Sequence, residues 1–426
     1  MTKHKSTSYT TRAFAYGSTN STLARVALNP ASDFGAANRF TEPVPIGHID
    51  GQPVFAIHGG DSGYNTAGDA LVTHTSDNVD LNAIWAEFQA TITIANETQS
   101  ALAGLLSYQT TSPAEAVPQS NSSGKFVEAS EFGEPVAIRP PSEALLMGFT
   151  FADYDAATRF TWRALRDFDS RQIEATHVEA LGADSRLVNG KILRRLFDPS
   201  EGLNELGHRV FGLWTGSDGL TPPAYLGKNF PSNTSHYFPT GAAQIDSQDI
   251  EDLINLVSSK GYAENAQLVI LANPIEGGFI QQFRAGEESR SGGPIARHDF
   301  IPSAGAPAYL QPENIVGEVA PGEFNGLKVA GSFGAAWLVE SNYIPSGYVA
   351  VVATSGPGST KNPIGVRVHP NTAYQGLRLL PGGQPGYPLV ESFYSRSFGT
   401  GVRHRGAAAV CQVTTSSSYT KPTWLW

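Results

Sequence analysis

Residues 111–152 constrain this chain more than any other stretch, because they read as a long β-excursion with little core of its own. A polar run at 119–124 leads through Lys125-Phe126-Val127-Glu128 to turns at Gly133-Glu134-Pro135 and Pro140-Pro141. An apolar strand follows at 144–151. A lone hairpin is marginal in water, so such a stretch either lies over a neighbouring molecule or forms a flap over a site. The bulk composition fits the first reading. Of 426 residues only 16% are charged, against about 25% in ordinary soluble domains. Few charges suit a surface that neighbours cover, although a secreted β-rich protein would look similar.

The length predicts two or three structural units, and 44 glycines and 28 prolines predict many turns. The net charge of −10 argues against whole-protein attraction to nucleic acid, which needs a basic footprint. It leaves room for a container that does not grip its contents. Cys411 is the single cysteine, so no intrachain disulfide forms. The polar start at residues 1–6 reads as no signal peptide, and no stretch is long and apolar enough to span a bilayer. The sequon Asn96-Glu97-Thr98 is therefore expected to be idle.

Along the chain, residues 1–78 read as an extended arm broken at Asn29-Pro30, Glu42-Pro43 and Gly59-Gly60. A helix is predicted from Asp80 to about Gln109, with Ile84, Trp85 and Phe88 near one face and Thr and Ile at 91–94 weakening it. A second is predicted from Asp153 to Gly182, where Tyr154, Ala157, Phe160, Ala164 and Phe168 recur at helical spacing. A third runs from Asp184 to Phe197, and a fourth opens at Asp246 and closes at Lys260-Gly261. Strands are predicted at 267–272, 348–353, 364–368 and 407–413. Helices and strands mix without a βαβ repeat, so the class is α+β.

Catalytic and binding motifs fare poorly. Gly60-Asp61-Ser62-Gly63 matches the tetrapeptide around a serine nucleophile, but only the arm precedes it, and a Gly-rich turn is the better reading. Ser355-Gly356-Pro357-Gly358-Ser359-Thr360-Lys361 lacks the spacing of a phosphate loop, and Pro357 removes a donor, so it reads as a strand-connecting turn. The ten histidines show no metal-ligand spacing. The acids Asp246, Asp249, Glu251 and Asp252 read as helix-start charges. No enzymatic role, cofactor or metal is expected. The most unusual local signal is cationic: Ser395-Arg396-Ser397-Phe398-Gly399-Thr400-Gly401-Val402-Arg403-His404-Arg405-Gly406, ahead of a strand of small residues.

This order of parts resembles the major capsid proteins of tailed bacteriophages, the HK-ninety-seven type of fold, which encapsulin shells share. The resemblance is strongest in 184–193, in Gly207-His208-Arg209 with Phe211-Gly212-Leu213-Trp214, in Ser235-His236-Tyr237 leading to 244–249, and in 398–408. These look like capsid proteins of actinobacterial phages, over most of residues 120–426. The resemblance implies an N-terminal arm and adjoining helix at 1–110, an extended loop at 111–152, and a spine helix with peripheral domain at 153–202. It implies an axial domain at 203–355, peripheral return strands and loop at 356–402, and a final axial strand and tail at 403–426. It also implies self-assembly into hexamers and pentamers of an icosahedral shell enclosing double-stranded DNA, in a virion assembled in the host cytoplasm. Scaffolding, portal and decoration proteins are the further partners it allows, with no membrane. Arg396, Arg403, His404 and Arg405 become expected inter-subunit contacts, with Glu128, Glu131 or Glu134 of another copy as acceptors. A Lys–Asn cross-link of the kind some relatives form is not expected, because Arg396 and Arg403 stand where its asparagine and glutamate would fall. An encapsulin-like compartment is the alternative within the fold, and a secreted β-rich enzyme or binding protein the alternative outside it.

Overall fold

The computed structural model describes the backbone of three short strands between residues 45 and 66. From residue 72 to residue 424 it describes everything except 99, 119–127, 129–132, 134–143, 217, 226–227, 306–318 and 383–388. Most of the expected arm, the tetrapeptide around Ser62, and Lys125, Glu131 and Glu134 lie outside the described residues.

In chain order the elements are β1 (Pro45–Ile49), β2 (Gln52–Phe55), β3 (Asn65–Thr66), α1 (Leu81–Glu97), α2 (Ala101–Leu106), β4 (Ser107–Thr110), β5 (Ala114–Pro118), β6 (Ala144–Gly148), β7 (Ala152–Arg159), α3 (Trp162–Asp167) and α4 (Ser170–Phe197). Then come β8 (Gly202–Leu203), β9 (Arg209–Val210), β10 (Tyr237–Pro239), α5 (Ser247–Ser258), β11 (Gln267–Ala272), α6 (Pro274–Ile280), β12 (Phe300–Pro302), β13 (Glu323–Phe324), β14 (Leu327–Phe333) and β15 (Ala336–Glu340). The last are β16 (Tyr348–Thr354), β17 (Ile364–Val368), β18 (Leu377–Pro381), β19 (Glu391–Val402) and β20 (Ala408–Gln412). The chain divides into two compact units, one of residues 1–98, 153–185 and 373–397, the other of 99–152, 186–372 and 398–426.

In the first unit, Asp80 caps α1 by accepting the Asn82 N–H at 2.8 Å. Leu81, Ile84 and Phe88 then pack with Leu165, Ile173 and Leu389. The threonines at 91 and 93 do not end the helix. Their hydroxyls donate back to the carbonyls of Glu87 and Gln89, which satisfies them inside helical geometry. It is Thr98 that closes α1, well before Gln109.

The helix expected over 153–182 is corrected by the structure. Residues 152–159 form β7, which pairs with β19, and the Thr158 and Ser392 hydroxyls meet at 2.6 Å. The three- and four-residue spacing of Tyr154, Ala157 and Phe160 is overridden by that pairing. The helix starts instead at Ser170, runs through Gly182 and absorbs the predicted third helix. At 28 residues it is about 42 Å long. A mid-helix glycine costs about 1 kcal/mol relative to alanine, which the burial of Ile173, Leu181, Ile192, Leu193 and Leu196 offsets.

The second unit is built on an eight-stranded mixed sheet with the order β10-β20-β16-β11-β15-β14-β12, β13 pairing with β14. All of β16 and all but the first residue of β11 are buried, as expected of continuous apolar runs. Helix α5 sets Ile250, Leu253 and Val257 into one cluster with Val349, Val351, Ala409 and Cys411. A reciprocal capping box starts it: Asp246 accepts the Asp249 N–H, and Asp249 accepts the Asp246 N–H, each at 3.0 Å. The turn after β16 is the connector its sequence suggests. Asn362 is wholly buried there, and its amide nitrogen donates to the carbonyls of Gly104, Ser107 and Gly356.

Candidate functional site: the root of the excursion and the turn before the last strand

All residues in this paragraph belong to the second unit. Strands β5 and β6 pair antiparallel from Ala114↔Gly148 to Pro118↔Ala144 and make a sheet of only two strands. Its root is fastened. Phe149 is fully buried over Gly365 and Gly401, which face each other across β17 and β19. A Cβ at Gly365 would lie 2.4 Å from the Phe149 ring, and one at Gly401 2.7 Å from it; one at Gly399 would lie 1.7 Å from the Thr150 carbonyl oxygen. Thr150 completes the joint. Its N–H and hydroxyl donate to the Thr400 carbonyl at 3.2 and 3.0 Å, and its hydroxyl accepts the Thr400 N–H at 2.9 Å. The alternation Gly399-Thr400-Gly401 is therefore a seat for the excursion, which only residues without a side chain can form.

Beyond the root the ladder is uncovered. Val117 and Met147 are buried with Phe211 and Leu220, but Leu145 is 42% and Leu146 50% exposed, on opposite faces of β6. Leu203 and Leu206, in and beyond β8, are 68% and 58% exposed. Adjacent side chains of a strand point to opposite faces, so Leu145 shares the face of its ladder partner Val117, which Phe211 and Leu220 back in part, and Leu146 stands half exposed on the other.

The cationic stretch is divided between the two units. Arg396, in the first, makes a two-pronged pair with Asp184, its Nε and Nη2 donating at 2.5 and 2.8 Å. Burial raises the Asp184 carboxyl while Arg396 pulls it back. The other three residues lie in the second unit. Arg403 donates from Nε to Glu115 of β5 at 2.6 Å. Tyr108 donates its hydroxyl to the same carboxylate at 3.3 Å, and its own ionisation is pushed up mainly by burial. His404 is half-buried, its Nε2 2.9 Å from the Thr360 carbonyl, and burial lowers its pKa. Arg403 and His404 line a cavity of about 160 Å³ with Val117, Met147, Pro222 and Tyr262.

Arg405 is different in kind: 1% of it is exposed. Its Nε donates to Gly212 O at 3.0 Å, Nη1 to Asp218 Oδ1 and Leu220 O at 2.9 and 2.6 Å, and Nη2 to Leu213 O at 3.2 Å and to Asp218 Oδ2. The guanidinium also lies over the rings of Phe211 and Trp214. Every donor is used inside its own chain. Burial would raise the Asp218 carboxyl, but hydrogen bonds and charge from Arg405 hold it below its ordinary value. Nothing in the spacing of residues 218 and 405 marks Asp218 as this partner.

Among the described residues no group of three His, Cys, Asp or Glu side chains could hold a metal ion, and no helix is long and apolar enough to cross a membrane.

A solved structure titled Mycobacterium phage Patience is similar to this chain, with 40% identity over 83% of this chain and 93% of that one, and a TM-score of 0.63. Less similar are the asymmetric unit of the bacteriophage PhiM1 mature capsid, with 10% identity over 74% and 87% and a TM-score of 0.40, and the holo-SrpI encapsulin complex from Synechococcus elongatus PCC 7942, with 12% identity over 79% and 98% and a TM-score of 0.39. No family model matches, and no curated protein does. The fold is the α+β fold of the HK-ninety-seven type. The chain belongs to the major capsid proteins of tailed bacteriophages, with its likeness among phages of actinobacteria, and it is a structural protein of the virion shell.

Proposed function

We propose that this subunit assembles into hexamers and pentamers of an icosahedral shell around double-stranded DNA, and that the excursion at 111–152 is laid on the next copy. The observation that carries this reading is the two-stranded ladder whose Leu145 and Leu146 are 42% and 50% exposed on opposite faces. Fully burying an exposed leucine contributes about 1.5–3 kcal/mol, and a second copy laid against the ladder would supply the part of that burial that the described chain leaves unmade. The fastened root fits the same purpose, since a projecting arm transmits load only if its base is held.

In this reading the first unit belongs to the peripheral domain, and the eight-stranded sheet of the second is axial. Of the four cationic residues, Arg403 and His404 keep surface to offer another copy, with Glu128, which is exposed, among the acceptors. Arg396 and Arg405 serve mainly within the subunit, where Asp184 and Asp218 engage them. Assembly in the host cytoplasm with a separate scaffolding protein, portal and decoration proteins completes the picture.

The test is the double variant Leu145→Ser, Leu146→Ser. Its thermal unfolding should stay close to that of the parent, because exposed substitutions change stability within about 0.5 kcal/mol, while sedimentation should show shells replaced by free subunits or small oligomers. Normal yields of closed shells would refute the role given to the ladder.

A further inference from the structure

We propose that Trp162, Arg163 and Arg166 form a contact point for the phosphodiester backbone of the nucleic acid inside the shell; this rests on the reading of a DNA-filled shell. The three residues lie on α3, in the first unit. Leu165 is buried and the Thr161 hydroxyl accepts the Ala164 N–H at 3.1 Å, so the short helix is held from beneath and capped. Its outer face carries an indole that is 56% exposed, a costly placement for the largest apolar side chain.

The indole organises charge. The guanidinium carbons of Arg163 and Arg166 lie 5.3 and 5.4 Å from its ring centroid, within the range where the ring quadrupole attracts a cation. Two like charges gathered on one ring repel each other; Asp167, which pairs with Arg166 and lies in the field of Arg163, offsets one of them, and a further anion would offset the other. Arg166 is oriented by Asp167, which accepts from its Nε and Nη2 at 2.6 and 2.8 Å, so its Nη1 remains available. Arg163 has no carboxylate within 4 Å among the described residues. Arg171 is exposed nearby in sequence, and Arg159, with a side chain 73% exposed, pairs with Glu391 at 3.0 Å.

Charge selects the partner. Residues 159–171 hold four arginines against Asp167 and Asp169, and Glu391 pairs with Arg159, which leaves a local net of +1 in a chain of net −10. A subunit with that overall charge repels DNA, so favourable contact is confined to places where the sign inverts. Planar guanidinium forks fit phosphate oxygens. With both cations drawn to the ring, base stacking is not the mode, and the contact carries no sequence preference. Each contact is weak, and the copies of a shell multiply it.

The experiment titrates a fluorescently labelled 20-base-pair duplex with the full-length subunit purified before assembly, at several salt concentrations, and compares the parent with Arg163→Ala, Arg166→Ala. Each phosphate contact contributes about 0.9 to the slope of log affinity against log salt. The double variant should bind about tenfold or more weakly, with a slope smaller by about two. Trp162→Leu, which keeps both charges, should weaken binding with a smaller change of slope. Electron microscopy of the double variant should still show shells, which separates this site from the shell reading itself. Unchanged duplex affinity and slope would overturn the proposal. So would competition by a peptide of residues 125–135 of this chain without duplex binding, which would make the occupant an acidic loop of a second copy. Loss of shells in the double variant would overturn it too, because the patch would then be a subunit contact.

Discussion

The eight-stranded sheet and the β5–β6 ladder are both built of short apolar strands, yet only the first closes on itself. In the sheet, β11 and β16 have neighbours on each side, and α5 lies against the same core as β16 and β20. The ladder has the same kind of residue, but Leu145 and Leu146 remain 42% and 50% exposed, on opposite faces. The difference shows that apolar sequence does not by itself make a core: what matters is whether the chain supplies a second layer. Where it does, the region is part of a stable subunit. Where it does not, apolar surface stays exposed.

Asp218→Ala should break the closed region most severely. It leaves the Arg405 guanidinium buried without its carboxylate, a loss of about 3–5 kcal/mol, which should appear as an insoluble subunit or a large fall in the midpoint of denaturant unfolding. A soluble variant with an unchanged midpoint would mean that Arg405 is not the anchor of the 211–222 segment.

Acid should act next. His177 is fully buried, stacked on Phe88 with its Nδ1 2.8 Å from the Tyr394 hydroxyl, and burial lowers its pKa to about 4. His236, buried against Ala408, is lowered to about 4 for the same reason. Each pKa is depressed on folding, so the unfolded chain binds more protons between the ordinary value near 6.5 and about 4, and stability falls as pH falls through that window. The loss is on the order of 3 kcal/mol per histidine. Asp249 opposes them. Burial, with the neighbouring Asp246 carboxylate, pushes it up to about 7, so its contribution is present below the ordinary carboxylate range and is lost as pH rises from about 4 to about 7. The Asp249→Asn variant should therefore lose stability more steeply on acidification than the parent. Thermal melts of both proteins between pH 8 and pH 4 check the sign, and a shallower slope in the variant would contradict it.

Gly401→Val sharpens the comparison at the seat of the ladder's root on β17 and β19. The added side chain would push Phe149 off its seat, at about 1–3 kcal/mol. The main sheet should survive, while amide hydrogen exchange at Thr150 and along β6 should rise. Arg403→Ala should cost least, about 1 kcal/mol or less for a partly exposed pair, with Glu115 released and the outer ladder loosened. Equal exchange in the variant and the parent would show that Arg403 does not brace β5.

Much of the sheet was legible in the sequence because its central strands are continuous apolar runs. The run at 267–272 and the one at 348–353 fall on β11 and β16, and the helix opening at Asp246 is α5. Residues 152–159 were not legible, because their apolar spacing suits a helix while β19 decides for a strand. Gly182 suits a helix stop, but packing on both sides carries α4 through it. The cationic stretch was visible as charge and invisible as geometry: nothing in the sequence separates Arg405, buried by Asp218, from Arg403, two residues earlier and half-exposed. The glycines at 399 and 401 did carry a signal, since alternate glycines within a strand mark a place where something comes close.

The most direct test is cryo-electron microscopy of the purified, assembled protein. Closed shells are expected, with residues 111–152 lying on an adjacent copy and Leu145 and Leu146 buried against it, each subunit covering well over about 2,000 Å² in contacts, the range of obligate interfaces. A compact monomer whose ladder is covered by its own chain, with no shells at any concentration, would contradict it.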